Sequence, residues 1–162
     1  MDTREKILSR SGLCEVLSEH RRLGRKIVLA NGIFDLLHVG HVRYLQAARA
    51  EGDILVAAIN SDASTRAQKG AGRPILTERA RAAVLAALEA VDYVVIFDEF
   101  DVKELLREIR PHVHAKGTDY TAETVPEREL ARQLGIRTAI CGDSKEHSTR
   151  ELLSRIRRQG HG

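Results

Sequence analysis

Residues Lys26 to Leu45 read KIVLANGIFDLLHVGHVRYL. The first six, Lys26 to Asn31, are a short β-rich apolar run bounded by polar residues; from about His41 the apolar spacing changes to the helical period. A strand that passes through a glycine-bearing turn into a helix is the opening half of a βαβ unit. The same alternation continues along the chain. Asp53 to Asn60, Asp92 to Phe97, His112 to Lys116 and Ile136 to Cys141 read as four further strands. Helical patterns cover His41 to Glu51, Thr77 to Val91, Asp101 to Arg110 and Pro126 to Leu134, with Leu8 to Leu23 before the first strand and Ser148 to Arg158 after the last.

Near-continuous apolar strands alternating with helices imply a parallel sheet covered on both faces. The expected fold is therefore α/β, a Rossmann-like, doubly wound, parallel five-stranded sheet. In such sheets the ligand crevice lies beyond the carboxyl ends of the strands. A chain of 162 residues suits one domain, 1–162, with 1–25 a leading helix packed on it. The longest expected loop, Ser61 to Leu76, is read as functional, since loops of that length are uncommon in compact domains. Thr124 with Glu127 and Ser148 with Glu151 have the capping-box spacing that opens a helix.

Composition narrows the chemistry. With 43% hydrophobic and 30% charged residues, the chain is neither disordered nor collagen-like. The charged start MDTREKILSR offers no secretory h-region, and no apolar run approaches the roughly 20 residues of a membrane span, so a cytoplasmic protein without a membrane partner is expected. Cys14 and Cys141 lack metal-ligand or disulfide spacing and read as reduced thiols. The pI is about 9.1, but Lys and Arg are interleaved with Asp and Glu except in the tail Arg150 to Arg158, and aromatics are 4% with no Trp. A small-anion site fits this pattern better than a nucleic-acid partner.

Within Asn31 to Leu45, His38 and His41 face the same way if the turn is helical. Gly40 lets backbone and ligand approach, and a helix opening near His41 presents unpaired N–H groups and the positive end of its dipole. Together they suggest a polyphosphate cradle. The same spacing also suits two histidines that only cap a helix. Zinc would need further ligands, and the H-E-x-x-H pattern is absent, so no metal site is assigned to protein side chains. The G-x-x-x-x-G-K-[ST] phosphate loop is absent too.

The string N-G-x-F-D-x-x-H-x-G-H-x-x-x-L resembles the signature of the H-x-G-H nucleotidyltransferase superfamily, which includes the cytidylyltransferases and phosphopantetheine adenylyltransferase. Asn60 to Ser64, Lys69-Gly70, Arg73-Pro74, Ala86 to Val95 and Lys116-Gly117-x-Asp119-Tyr120 narrow the resemblance to the D-glycero-β-D-manno-heptose 1-phosphate adenylyltransferases. It is to their free-standing form, over about Lys6 to Arg157. The resemblance implies transfer of AMP from ATP to heptose 1-phosphate with release of pyrophosphate, and Mg²⁺ arriving with ATP. It places His38, His41 and Lys116 at the transferred group. Asn31, Gly32, Ile33, Phe34, Asp35, Gly40, Gly117, Asp119, Ser148 and Thr149 would lie along the nucleotide. It also implies a homodimer, and a separate sugar kinase that supplies the substrate. Ala30, Thr118, Arg150 and the run His112-Val113-His114 depart from the usual pattern. A cytidylyltransferase acting on glycerol 3-phosphate, or a nucleotide-sensing or nucleic-acid-binding domain, are the alternatives.

Asp62, Lys69 and Arg73 are expected to recognise the sugar phosphate, with Arg79 assisting its neutralisation. A phosphate monoester is already a dianion near neutral pH, its second pKa being about 6, so no general base is needed. A histidine facing polyphosphate is expected to be favoured as imidazolium, at least one of the pair with ATP bound. Ala80 to Val91 reads as a buried helix, and Leu105, Leu106 and Ile109 as an amphipathic stripe. Arg155, Arg157 and Arg158 read as solvated. His20, His112, His114, His147 and His161 show no partner in the sequence, although His147 adjoins Ser148.

Overall fold

The structure is a computed structural model that describes residues 2–143 and 149–160. Among these, the strands β1 (Ile27–Gly32), β2 (Ile54–Asn60), β3 (Tyr93–Phe97), β4 (Val113–Gly117) and β5 (Arg137–Cys141) form one parallel sheet in the order β3-β2-β1-β4-β5. Alternation along each strand explains its unbroken apolar run. Val28 and Ala30 enter one core with Leu55, Ala57 and Val113, covered by Leu45, Ala48, Ala82 and Leu85. Ile27 and Leu29 enter the other with Val56 and Ala58, covered by Leu13, Leu17, Leu105, Leu106 and Ile109. Both faces are buried, so a polar side chain at these positions is costly unless it is partnered.

The helices are α1 (Arg10–Arg22), α2 (Val39–Arg49), α3 (Asp62–Lys69), α4 (Glu78–Ala86), α5 (Lys103–Ile109), α6 (Arg128–Gln133) and α7 (Thr149–Gln159). Ser9, Ser61 and Thr77 cap α1, α3 and α4 by accepting the N–H of Gly12, Ser64 and Ala80. Leu13 and Leu17, four apart on α1, are wholly buried. The segment ahead of α1 is also tied down: Lys6 donates to the carbonyls of Leu88 and Val91, and Leu8 N to Val94 O at 3.0 Å.

Two expectations are corrected. Ser61 to Leu76 is not one loop, because α3 occupies its first half. The polar residues that suggested a loop turn inward: Asn60 donates to Ser64 Oγ at 2.9 Å, Thr65 Oγ1 donates to Ser61 O at 2.8 Å, and Ser64 and Thr65 are buried. Nor does Thr124 open a helix. Its hydroxyl accepts from Thr121 N to close a turn, while α6 starts at Arg128 after Glu127, whose side chain makes no cap bond. The capping box assigned to Ser148 lies outside the described residues.

β1 leads to β2 and β3 on one side, whereas β4 and β5 build outward on the other. The order reverses between β1 and β4. Helices therefore diverge above that junction and leave a crevice at the carboxyl ends of these two strands.

Candidate active site

At that crevice the chain surrounds a cavity of about 1080 Å³. The end of β1 and the turn beyond it contribute Asn31, Gly32, Ile33, Phe34 and Asp35 to its wall, and the start of α2 contributes His38, Gly40 and His41. Lys116, Gly117 and Asp119 reach it from β4, and Thr149 from α7. Lys69, at the end of α3, and Arg73, in the loop after it, also line the cavity. Residues spread over more than a hundred positions thus meet in one cleft. Ser148, His147 and His161 lie outside the described residues.

His38 is the N-cap of α2. Its Nδ1 accepts the Gly40 N–H at 3.1 Å, and His41 Nδ1 accepts the His38 N–H at 3.2 Å, closing a reciprocal capping box. The capping role and the cavity-lining role therefore coexist. A ring whose Nδ1 accepts carries its proton on Nε2, so each imidazole is a donor from its other edge. The rings lie 3.9 Å apart between centroids. Beneath them, the Phe34 ring meets His41 edge-on at 5.5 Å and stacks on Tyr44. Phe34 has φ +51°, a conformation that non-glycine residues adopt at a cost, and its buried ring holds it there. A Cβ on Gly32 would come within 3.0 Å of that ring.

Asp35 is buried and binds the loop after α3: Oδ2 accepts Ile75 N at 2.7 Å and Arg73 Nε at 2.9 Å, and Oδ1 accepts Leu76 N at 2.9 Å. Burial would raise its carboxyl, but the Leu76 and Ile75 amides and the Arg73 guanidinium outweigh it and hold the group below its ordinary value. Arg73 is thereby fixed at the cavity wall by one nitrogen.

Asp62 and Arg79 do not line the cavity. Asp62 exchanges backbone-to-carboxylate bonds with Glu78 and pairs with Arg81 Nη2 at 2.8 Å, while Arg79 is exposed on α4. Arg81 is the residue the sequence reading missed. Wholly buried, it donates to Leu76 O, Ile33 O and Asn60 O as well as to Asp62, joining the ends of β1 and β2 to the loop before α4. The available signal was an arginine on the buried Ala/Leu stripe of Ala80 to Val91, where a charge persists only if fully partnered.

Lys116 is nearly buried, with Nζ 4.6 Å from the Tyr120 ring centroid and 3.8 Å from Glu127 Oε2, too far for a hydrogen bond. Arg43 pairs with Asp143 at 3.1 Å across the mouth. Three histidines without an expected partner have one. Arg25 donates to His20 Nδ1, so His20 Nε2 donates to Tyr93 Oη; His112 Nδ1 accepts Ile27 N. His114, wholly buried on β4, lies 2.7 Å by Nε2 from Asn31 Oδ1.

Comparison with known proteins agrees with this geometry. The family model described as cytidylyltransferase-like matches residues 29–157. The bifunctional protein HldE of Syntrophotalea carbinolica is 48% identical over 151 residues, 93% of this chain and 31% of the relative. HldE of Pelobacter propionicus is 46% identical over 155 residues, 96% of this chain and 32% of the relative. The chain thus spans just under a third of the length of these curated relatives. A crystal structure of the lipopolysaccharide core biosynthesis protein from Thermoplasma volcanium superposes with a TM-score of 0.63 at 28% identity, covering 75% of this chain and 100% of that one. Among the described residues no helix is long and apolar enough to cross a membrane. Strand order, the histidine-lined crevice and the span of the family match agree: the chain belongs to the cytidylyltransferase-like family and is a nucleotidyltransferase.

Proposed function

We propose that the chain transfers AMP from ATP to D-glycero-β-D-manno-heptose 1-phosphate, giving ADP-D-glycero-β-D-manno-heptose and pyrophosphate. The observation that carries this reading is the capped pair His38 and His41, two imidazole donors held on one wall of a crevice that Lys116 also reaches. A sugar phosphate oxygen attacks the α-phosphorus, the bond to the bridging oxygen breaks, and pyrophosphate leaves in line. The nucleophile needs no base, so the protein's work is to position two anions and neutralise developing charge. His38, His41 and Lys116 serve the α-phosphoryl oxygens and the leaving group. Asn31 to Asp35, Gly117, Asp119 and Thr149 flank the nucleotide, and Lys69 and Arg73 take the sugar phosphate.

The imidazole, amide and ammonium donors suit phosphate oxygens. Among the described residues no three His, Cys, Asp or Glu side chains gather to hold an ion. Mg²⁺ is proposed to enter with the triphosphate, where it would offset charge on the departing pyrophosphate. The substrate must come from a reaction that phosphorylates the anomeric hydroxyl, here assigned to a separate kinase; the HldE relatives are named bifunctional. A cytoplasmic homodimer completes the proposal.

Pyrophosphate release from ATP or CTP, each with heptose 1-phosphate or glycerol 3-phosphate, tests it. Release with ATP and heptose 1-phosphate supports the reading. Release with CTP and glycerol 3-phosphate in preference replaces it.

A further inference from the structure

We infer that His114 is a positioning residue that turns the Asn31 side chain so that its NH₂ group faces the nucleotide cavity. The inference rests on the crevice being the nucleotide site. His114 sits on β4 opposite Leu29 of β1, on the sheet face shared by Asn31 one pleat further along. Its neighbours on β4, Val113 and Ala115, are apolar and buried, and at this depth an aliphatic side chain would serve packing better. Yet the ring places Nε2 at 2.7 Å from Asn31 Oδ1. An amide oxygen only accepts, so Nε2 carries the proton and the orientation of the amide follows: oxygen toward the histidine, NH₂ away from it. Asn31 lines the cavity. The NH₂ group is then a neutral donor for a phosphoryl oxygen beside the His38 and His41 donors.

The arrangement is not an optimum for stability. His114 Nδ1 is buried and has no hydrogen-bond partner among the described residues. An unpaired buried acceptor is destabilising, so a histidine here fits a demand other than folding. Burial first, and the Lys116 charge two residues on, keep the ring neutral by holding its pKa down to about 3. The donor to Asn31 is therefore in the same state throughout the neutral range.

The test compares His114→Leu, which removes the donor, with His114→Gln, whose Nε2 reaches the same place. For His114→Leu we expect a melting temperature no lower than that of the wild type, with ATP affinity and kcat/KM for ATP each reduced about tenfold, the scale of one hydrogen bond to a charged group. His114→Gln should recover most of the loss. Equal behaviour of the two variants, or wild-type kinetics in His114→Leu, overturns the inference. If the wild type binds no nucleotide, the functional reading fails instead. The Asn31 orientation is then read directly in ligand-free protein by a slowly exchanging His114 Nε2–H that shows a scalar coupling or close contact to the Asn31 amide. Its absence overturns the inference whatever the cavity binds.

Discussion

His41 accepts the backbone N–H of His38 through Nδ1 at 3.2 Å while the two imidazoles lie 3.9 Å apart, so the pair is bound to the helix start and to each other. Both cap bonds use the Nδ1 lone pair, so a proton on that nitrogen would break the cap. A triphosphate changes the balance. Attraction of one imidazolium to phosphate at about 4 Å, at an effective dielectric of about 20, is near 4 kcal/mol, against about 1 kcal/mol for a lost cap. A second proton would meet the first cation at similar range and gain little. We therefore expect ATP to protonate one ring and not both. Side-chain ¹⁵N spectra at pH 7 would show two neutral rings without ATP and one imidazolium with it; two neutral or two charged rings in the complex contradict this.

The capping and cavity roles of His41 separate by substitution. Asparagine offers Oδ1 close to the place of Nδ1 and so keeps the cap, but has nothing at the position of Nε2. His41→Asn should melt within about 3 °C of the wild type and lose about a hundredfold in kcat, the range for one oxyanion donor. Calorimetry and pyrophosphate release measure the two effects. A variant that unfolds, or one that keeps full activity, refutes the separation.

Sequence alone revealed the sheet, because strands buried on both faces leave unbroken apolar runs, and the histidine turn, because its spacing is local. It misplaced what depends on tertiary partners. Ser64 and Thr65 are polar by composition but buried by their hydrogen bonds, so α3 reads as loop. Thr124 and Glu127 have the spacing of a capping box without its backbone geometry. Asp62 has the composition of a ligand, yet Arg81, nineteen residues later, claims its carboxylate. The cross-strand contact of His114 with Asn31 joins residues 83 apart, a relation no local window contains.

Arg81 bears on stability before it bears on catalysis. Arg81→Met removes the guanidinium donor from three backbone carbonyls and leaves the Asp62 carboxylate with only the Glu78 N–H, and should cost about 3–5 kcal/mol in urea denaturation. Arg81→Lys should recover little, because one ammonium cannot reproduce a planar fork that serves four acceptors. Recovery by lysine would show that charge, and not the fork, is what the site needs.

Lys69 stands exposed in the last turn of α3, facing the cavity and remote from the core. Lys69→Ala should leave the melting temperature unchanged and raise the KM for the sugar phosphate much more than that for ATP. Initial rates with each substrate varied in turn decide this, and equal increases for both would remove Lys69 from the acceptor end.

The wholly buried His114 dominates the acid sensitivity of the fold. Burial lowers the affinity of His20, His112 and His114 for protons, most of all in His114, whose pKa falls to about 3. In the unfolded chain a histidine titrates near 6.5. Between these values the unfolded state binds the extra proton, so stability is complete above about pH 6.5 and declines as pH falls, with the loss for His114 complete only near pH 3. At about 1.4 kcal/mol per pH unit, His114 alone accounts for about 2 kcal/mol between pH 6.5 and pH 5. Urea midpoints should therefore fall steeply over that interval in the wild type and less steeply, by about that amount, in His114→Leu. The same variant would then be more acid-stable and a poorer nucleotide binder, a combination that a purely structural histidine would not produce. Parallel pH profiles for the two proteins would show that the ring already exchanges protons with solvent in the folded state.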